Sequence, residues 1–311
     1  MPPHERLFLA AAVRATATEE STVNHHVPAP TLPAAPVGGG LDLVARRTFA
    51  WFLGVLAAIT TAVMAPLWLT GADADSFNAT VPLLSWAPAL SALAAHLLAR
   101  RRASFVRWVG IRPFASRRIA GTWAVMLGVF LVIPAVSTCL GVAIGVVAWQ
   151  PSPEAWTLLP LILPFALLGL LTVTGEEIGW RGALQTTLAP LGAVRASALI
   201  AVLWALWHLP LTLGYASSGD FSLRDVAATS VDLLIIGFVL SAARIMSSSM
   251  WPAAWAHALM NSTLVFAESN LTTPARDLAD GPFWAMQAIT WIVAAVAATS
   301  TMLIATRVKS R

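Results

Sequence analysis

Three short stretches place ionisable side chains inside runs that are otherwise apolar: Gly175-Glu176-Glu177-Ile178-Gly179-Trp180-Arg181, Trp204-Ala205-Leu206-Trp207-His208, and Trp255-Ala256-His257-Ala258-Leu259-Met260-Asn261. A charge in hydrocarbon costs on the order of 2.5–3.5 kcal/mol even on a mild insertion scale, so such residues mark function by default. Their spacing suggests how they work together. Residues four apart share a helix face, so Glu177 can pair with Arg181, and His257 and Asn261 present an imidazole and an amide to one side. Glu176 lies about 100° further round its helix, free for other work. A carboxylate beside an imidazole can hold and deprotonate a water. A second imidazole and an amide N–H can stabilise an oxyanion. That is the equipment for hydrolysing an amide bond. The same Glu176, His208 and His257 can instead ligate Zn²⁺ and leave one position open for water. The soluble-metalloprotease pattern H-E-x-x-H is absent, and no Ser or Cys sits at nucleophile spacing from a His in these clusters. Water-activated hydrolysis is therefore preferred over a covalent route.

The elements that must position these residues are transmembrane helices. Of the 311 residues, 58% are hydrophobic and only 11% charged, against about 25% charged in a soluble domain. Apolar runs fall at about 48–70, 80–99, 121–148, 156–188, 194–213, 226–243, 250–267 and 284–305. Each is near the length of about 20 residues that crosses a bilayer. No strand-like alternation appears, so the expected fold is an all-α, polytopic transmembrane bundle of about eight spans. Residues 1–40, rich in Ala, Pro, Thr and Gly, read as a disordered tail in which His25 and His26 are solvated; a cleaved signal over Leu7–Val13 is disfavoured because Arg14 cuts it short. Residues 41–311 form the membrane domain, its motif-bearing core at about 156–267. The lone Cys139 has no disulfide partner and reads as a small buried side chain.

Basic residues fix an orientation. Arg46, Arg47, the arginines between 100 and 118, Arg195, Arg244, Arg307, Lys309 and Arg311 fall on one side of an eight-span scheme, against only Arg224 and Arg276 on the other. Lys and Arg face inward, which puts both termini in the cytoplasm. A net charge of +4 distributed this way, with no aromatic-interleaved basic patch, gives no reason to expect nucleic acid; the Arg100–Arg118 stretch suits anionic lipid headgroups. The same scheme sets depth. His208 follows Arg195, and His257 follows Arg244, by the same thirteen residues, so both imidazoles sit roughly 20 Å along rising helices. For Glu176, on a descending helix, to match them, that helix must run to about Pro190 and be long or tilted. A single intramembrane His is more often a packed core residue; Glu, His, His and Asn from three helices at one depth point to a site.

The three stretches resemble the three motifs of the CAAX-protease and bacteriocin-processing family of intramembrane proteases, also called the Abi or type II CAAX endopeptidase family. E-E-x-x-x-R matches Glu176, Glu177 and Arg181; F-x-x-x-H matches Trp204 to His208, with Trp for Phe; H-x-x-x-N matches His257 and Asn261. The resemblance implies a cell-membrane, multi-pass endopeptidase acting on a membrane-anchored protein or peptide, prenylated in eukaryotic members. Glu176 is then the general base, His208 helps hold the water, His257 and Asn261 stabilise the oxyanion, and Arg181 orients the glutamates, with Glu177 supporting. These residues serve either a Zn²⁺ scheme or glutamate and water alone. The alternatives are a proton-coupled transporter, against which no internal repeat appears, and a non-catalytic scaffold. Asp232 reads as a lone carboxylate in a polar contact, His96 as snorkelling from a helix end, and Trp204 and Trp207 as packing residues.

Overall fold

Helix follows helix through the described residues because they offer almost nothing but long apolar stretches punctuated by capping residues. The computed structural model describes residues 40–309; the expectations for the N-terminal tail, with His25 and His26, lie outside them. Eight long helical elements form: α1 Leu43–Thr70, α2 Ala74–Leu98, α3 Arg117–Ala143, α4 Ala155–Leu191, α5 Ala193–Ser217, α6 Leu223–Ser247, α7 Trp251–Asn270 and α8 Asp280–Lys309. Among the described residues no strand forms beyond a single antiparallel bridge between Trp149 and Thr272. The α1–α2 turn shows how tightly ends are made. Gly71 closes α1 at φ 61°, a left-handed conformation that suits glycine, and Asp73 caps α2 by accepting from the Ser76 N–H at 2.9 Å.

Seven of the eight are long and apolar enough to cross a membrane, so this is a multi-pass membrane protein. The eighth, α7, misses on apolarity because it carries His257, Asn261, Ser262, Glu268 and Asn270. Its first half is enclosed: every residue from Pro252 to Leu259 is buried, with α3, α4 and α6 packed against the helix. It nevertheless runs between the same two ends as the others. At one end Met250 N–H donates to the Gly110 carbonyl at 2.9 Å and Arg118 Nε to the Met246 carbonyl at 3.0 Å. At the other, Ser152 N–H reaches the Asn270 carbonyl at 2.9 Å, and Arg224 Nη1 reaches Asp280 at 2.8 Å. The loops thus sort onto two ends as the charge pattern requires.

The most extensive packing joins neighbours in the chain only at α1–α2 and α5–α6 and otherwise links helices that do not follow one another. α1 lies on α2, α2 on α4, α4 on α7, α7 on α3, and α6 is flanked by α5 and α8. One continuous core runs through the centre, built around Trp180, Trp204, Phe52, Phe130 and Met126. Where α2 and α4 meet, glycine permits the approach. A Cβ on Gly175 would sit 2.5 Å from the Ser85 carbonyl oxygen, and one on Gly179 would sit 2.4 Å from Pro88 Cβ. Two glycines four apart give α4 a smooth face on which α2 can lie, the small-residue packing that membrane helices use.

Three side chains depart from expectation. Cys139 is exposed on the outer face of α3, where a small apolar group is as comfortable as in a core. His96 does not snorkel; its half-buried ring packs against Phe105 and Trp108, each 5.5 Å away between centroids. Arg244 is not a headgroup anchor: it is 3% exposed, held inside the bundle by bonds described below.

Candidate active site

α4 is as long as the depth argument demanded, and it is irregular where the first motif lies. A regular α-helix from Ile162 to Glu177 gives way to a π-helical segment, Ile178–Leu184, before one more α-turn at Gln185–Leu188. Such segments carry an extra residue per turn and recur at functional sites. Every residue of the π segment is buried. It leaves Glu176 and Glu177 at its start, both buried and pointing to different partners.

Glu176 meets the second motif. Trp204 Nε1–H donates to Glu176 Oε2 at 2.9 Å, and His208 Nε2 stands 3.9 Å from the same oxygen. Trp204 is thus more than a packing residue: it is the direct partner of the glutamate. The His208 tautomer is set by its other nitrogen. Nδ1 lies 2.8 Å from the Trp204 carbonyl, which can only accept, so Nδ1 carries a proton; in the neutral ring Nε2 then turns its lone pair towards Glu176.

Glu177 meets the third motif. Its Oε1 accepts from Arg181 Nη1 and from His257 Nδ1, both at 2.9 Å. All three side chains are essentially excluded from solvent. The Glu177–Arg181 pair was expected from spacing. The bond to His257 was not, because it joins residues eighty positions apart. Trp204 stands between the two groups. The Arg181 guanidinium lies 4.3 Å over its ring, and His208 and His257 meet it edge-on at 5.3 and 5.2 Å. The structure therefore brings Glu176, Glu177, Arg181, His208 and His257 around one indole, with one guanidinium for two carboxylates.

Asn261 stands apart. It follows His257 by one turn but is exposed, and no hydrogen bond joins it to the other named residues among those described. Asp232 accepts from Trp291 Nε1 at 2.8 Å, a polar contact away from this cluster. A cavity of about 70 Å³ touches both Glu176 and His208 and is otherwise walled by α1, α2 and α5, through Thr60, Met64, Val81, Leu84, Ser85, Trp207, Pro210 and Leu211. A water needs on the order of 10–15 Å³ of such space, so several fit. Trp207, whose Nε1–H donates to Thr60 at 2.9 Å, ties the α1 and α5 walls together.

Residues 157–263, from α4 into α7, match the family model described as type II CAAX prenyl endopeptidase Rce1-like. The match covers about a third of the chain. No curated protein matches it closely enough to add a relative. The Rce1-like match contains all three motifs and the whole cluster around Trp204, while α1–α3 and α8 lie outside it. It implies a membrane protease, a hydrolase of peptide bonds. It does not supply a metal. Zn²⁺ needs its ligand atoms within about 2.0–2.2 Å of one point, and among the described residues no three His, Cys, Asp or Glu side chains are grouped to hold an ion.

Proposed function

We propose that this protein is an intramembrane endopeptidase that hydrolyses a peptide bond of a membrane-anchored protein or peptide, with Glu176 as general base on the attacking water. One observation carries the reading. Glu176 Oε2 and His208 Nε2 are 3.9 Å apart and both residues border a cavity with room for water; with the His208 ring neutral both atoms are acceptors. Two acceptors at that distance cannot bond each other, but a water can donate one hydrogen to each, which aims its oxygen lone pair away from both. Attack on a carbonyl carbon then passes the water's proton to Glu176, which returns it to the departing amine. His257, held at Nδ1 by Glu177, has its other nitrogen available. When Nε2 carries a proton it donates to the oxyanion, with Nδ1 still held by Glu177. Asn261 joins this role if substrate, entering beside the exposed amide, meets it there.

The end bearing Arg100 to Arg118 faces the cytoplasm, both termini lie on that side, and the membrane is the cell membrane. The apolar cavity wall suits aliphatic residues at the cleaved bond. A prenyl group on the substrate belongs to the family description and is tested as one arm.

The decisive experiment uses the full chain purified in detergent with a panel of membrane-anchored peptides, prenylated and not. Wild-type protein cleaves at least one. Glu176→Gln, which keeps an acceptor for Trp204, and His208→Ala each lower kcat by roughly 10²–10⁴-fold with unchanged melting temperature. Cleavage persisting in both variants would show that the base is elsewhere.

A further inference from the structure

Behind the site, on the side away from the cavity, α6 delivers a second arginine to the same helix. Arg244 is buried in a run, Ser241 to Met250, in which every residue is buried. Its Nε–H donates to the Arg181 carbonyl at 3.0 Å, and its Nη2–H to Thr186 Oγ1 at 3.3 Å. One turn earlier on α6, the Ser241 carbonyl accepts from Gln185 Nε2 at 3.0 Å. No carboxylate pairs with Arg244 among the described residues. Its guanidinium is pressed against Gly110, where a Cβ would come within 2.8 Å of Nη2. A buried cation with only neutral oxygens for partners is costly to keep, and here those oxygens belong to the π segment and the α-turn that follows it.

The π geometry explains the partner. In a regular helix the Gln185 N–H would reach the Arg181 carbonyl; instead it reaches those of Trp180 and Gly182. The Arg181 carbonyl is left for Arg244. From there the bonds run on without a gap: Arg244 Nε to the Arg181 carbonyl, Arg181 Nη1 to Glu177 Oε1, and His257 Nδ1 to that same oxygen.

We propose that Arg244 is a positioning residue for the peptidase site, fixing the π segment so that Arg181 and Glu177 hold His257 in its working orientation. The proposal rests on the peptidase reading for its kinetic consequence, but not for its structural one. Arg244 touches neither substrate nor cavity, so its loss acts on turnover and spares substrate binding. A misplacement of the order of 1 Å far from the chemistry can cost about 10²-fold.

The test compares Arg244→Gln, Arg244→Lys and the milder Thr186→Val, each alone and in a Glu177→Gln background, by peptide cleavage and by amide hydrogen exchange in the full-length protein. Arg244→Gln is expected to lower kcat roughly 10- to 100-fold with KM within about threefold. Arg244→Lys, which keeps one donor for the carbonyl, recovers part of the loss, and Thr186→Val costs only about threefold, by the same scaling. With Glu177 already changed, the Arg244→Gln effect shrinks to within about threefold, since the two act in one series. Exchange rises in the 178–185 amides and not in α1 or α8. Equal losses in both backgrounds, or unaltered exchange at 178–185, would overturn the proposal. If wild-type protein cleaves no peptide, the peptidase reading falls, while the exchange comparison still decides whether Arg244 holds the π segment.

Discussion

Glu177 is the side chain on which the geometry makes the sharpest demand, because a single oxygen serves two donors. Oε1 accepts from Arg181 and from His257 at 2.9 Å each, with all three groups buried. Glu177→Gln can turn its amide oxygen to that position and keep both bonds while losing only the charge. A hydrogen bond to a charged group contributes about 1.5–3 kcal/mol and a neutral one about 0.5–1.5 kcal/mol, so the change costs about 1 to 1.5 kcal/mol per bond. For two bonds that is about 2–3 kcal/mol, or roughly 30- to 150-fold in turnover if all of it falls on the orientation of His257. Glu177→Ala removes the oxygen altogether and strands the Arg181 guanidinium. Breaking a buried pair this way costs about 3–5 kcal/mol and shows first as a lowered melting temperature. Thermal unfolding followed by tryptophan fluorescence, beside peptide cleavage, separates the two. If Glu177→Ala melts with wild-type protein and Glu177→Gln cleaves at the wild-type rate, the bridge through Oε1 has no energetic role and the argument fails.

Further outcomes follow from the same geometry. Trp204→Phe, which restores the residue of the F-x-x-x-H motif, removes the N–H that holds Glu176 Oε2 but keeps an aromatic face for Arg181; we expect intact folding and a kcat loss of about 10-fold, at the low end of a charge-assisted bond, and an unchanged rate would show that the indole N–H does not position the base. Gly179→Ala brings a Cβ to 2.4 Å from Pro88 and should destabilise by about 1–3 kcal/mol, whereas Gly54→Ala, with nothing within 4 Å, should change stability by no more than about 1 kcal/mol; equal melting temperatures for the pair would refute close α2–α4 packing. Cleavage is expected to survive removal of divalent ions by a chelator, and its loss on chelation with recovery on adding Zn²⁺ would replace the glutamate–water scheme with a metal-bound one.

Much of the fold was legible because hydrocarbon leaves a chain few options. All eight long elements lie where apolar runs were read, with ends displaced by a few residues where Asp42, Asp73 and Ser222 cap helices earlier than hydropathy alone indicates. The length of α4 followed from matching Glu176 to the depth of the two histidines. What escaped was side-chain direction. Counting arginines near a helix end cannot distinguish one that reaches out from one that folds in, as Arg244 does. The serine and alanine residues flanking it, from Ser241 to Ala243 and Ser247 to Ser249, were the available signal: small side chains invite a neighbouring helix to close over the charge. The bonds of Trp204 to Glu176 and His257 to Glu177 join distant positions, and no local spacing encodes them. Asn261 shows the reverse case, a residue whose motif spacing is right and whose side chain nonetheless faces outward.

The π segment also sets how this part of the chain can vary in length. Each residue in a helix turns its successors by about 100°, and the wider turn between Ile178 and Leu184 accommodates a surplus residue without disturbing what lies beyond. Deleting any one of those seven positions would leave an unbroken, shorter α-helix of perfectly ordinary local geometry. The two halves of α4 would keep their phase, because the surplus residue is what the wide turn absorbs; what would go is the opening that leaves the Arg181 carbonyl to Arg244. A one-residue deletion there would therefore read as harmless in the helix itself, while the Arg244 guanidinium is left facing a carbonyl already taken by the backbone.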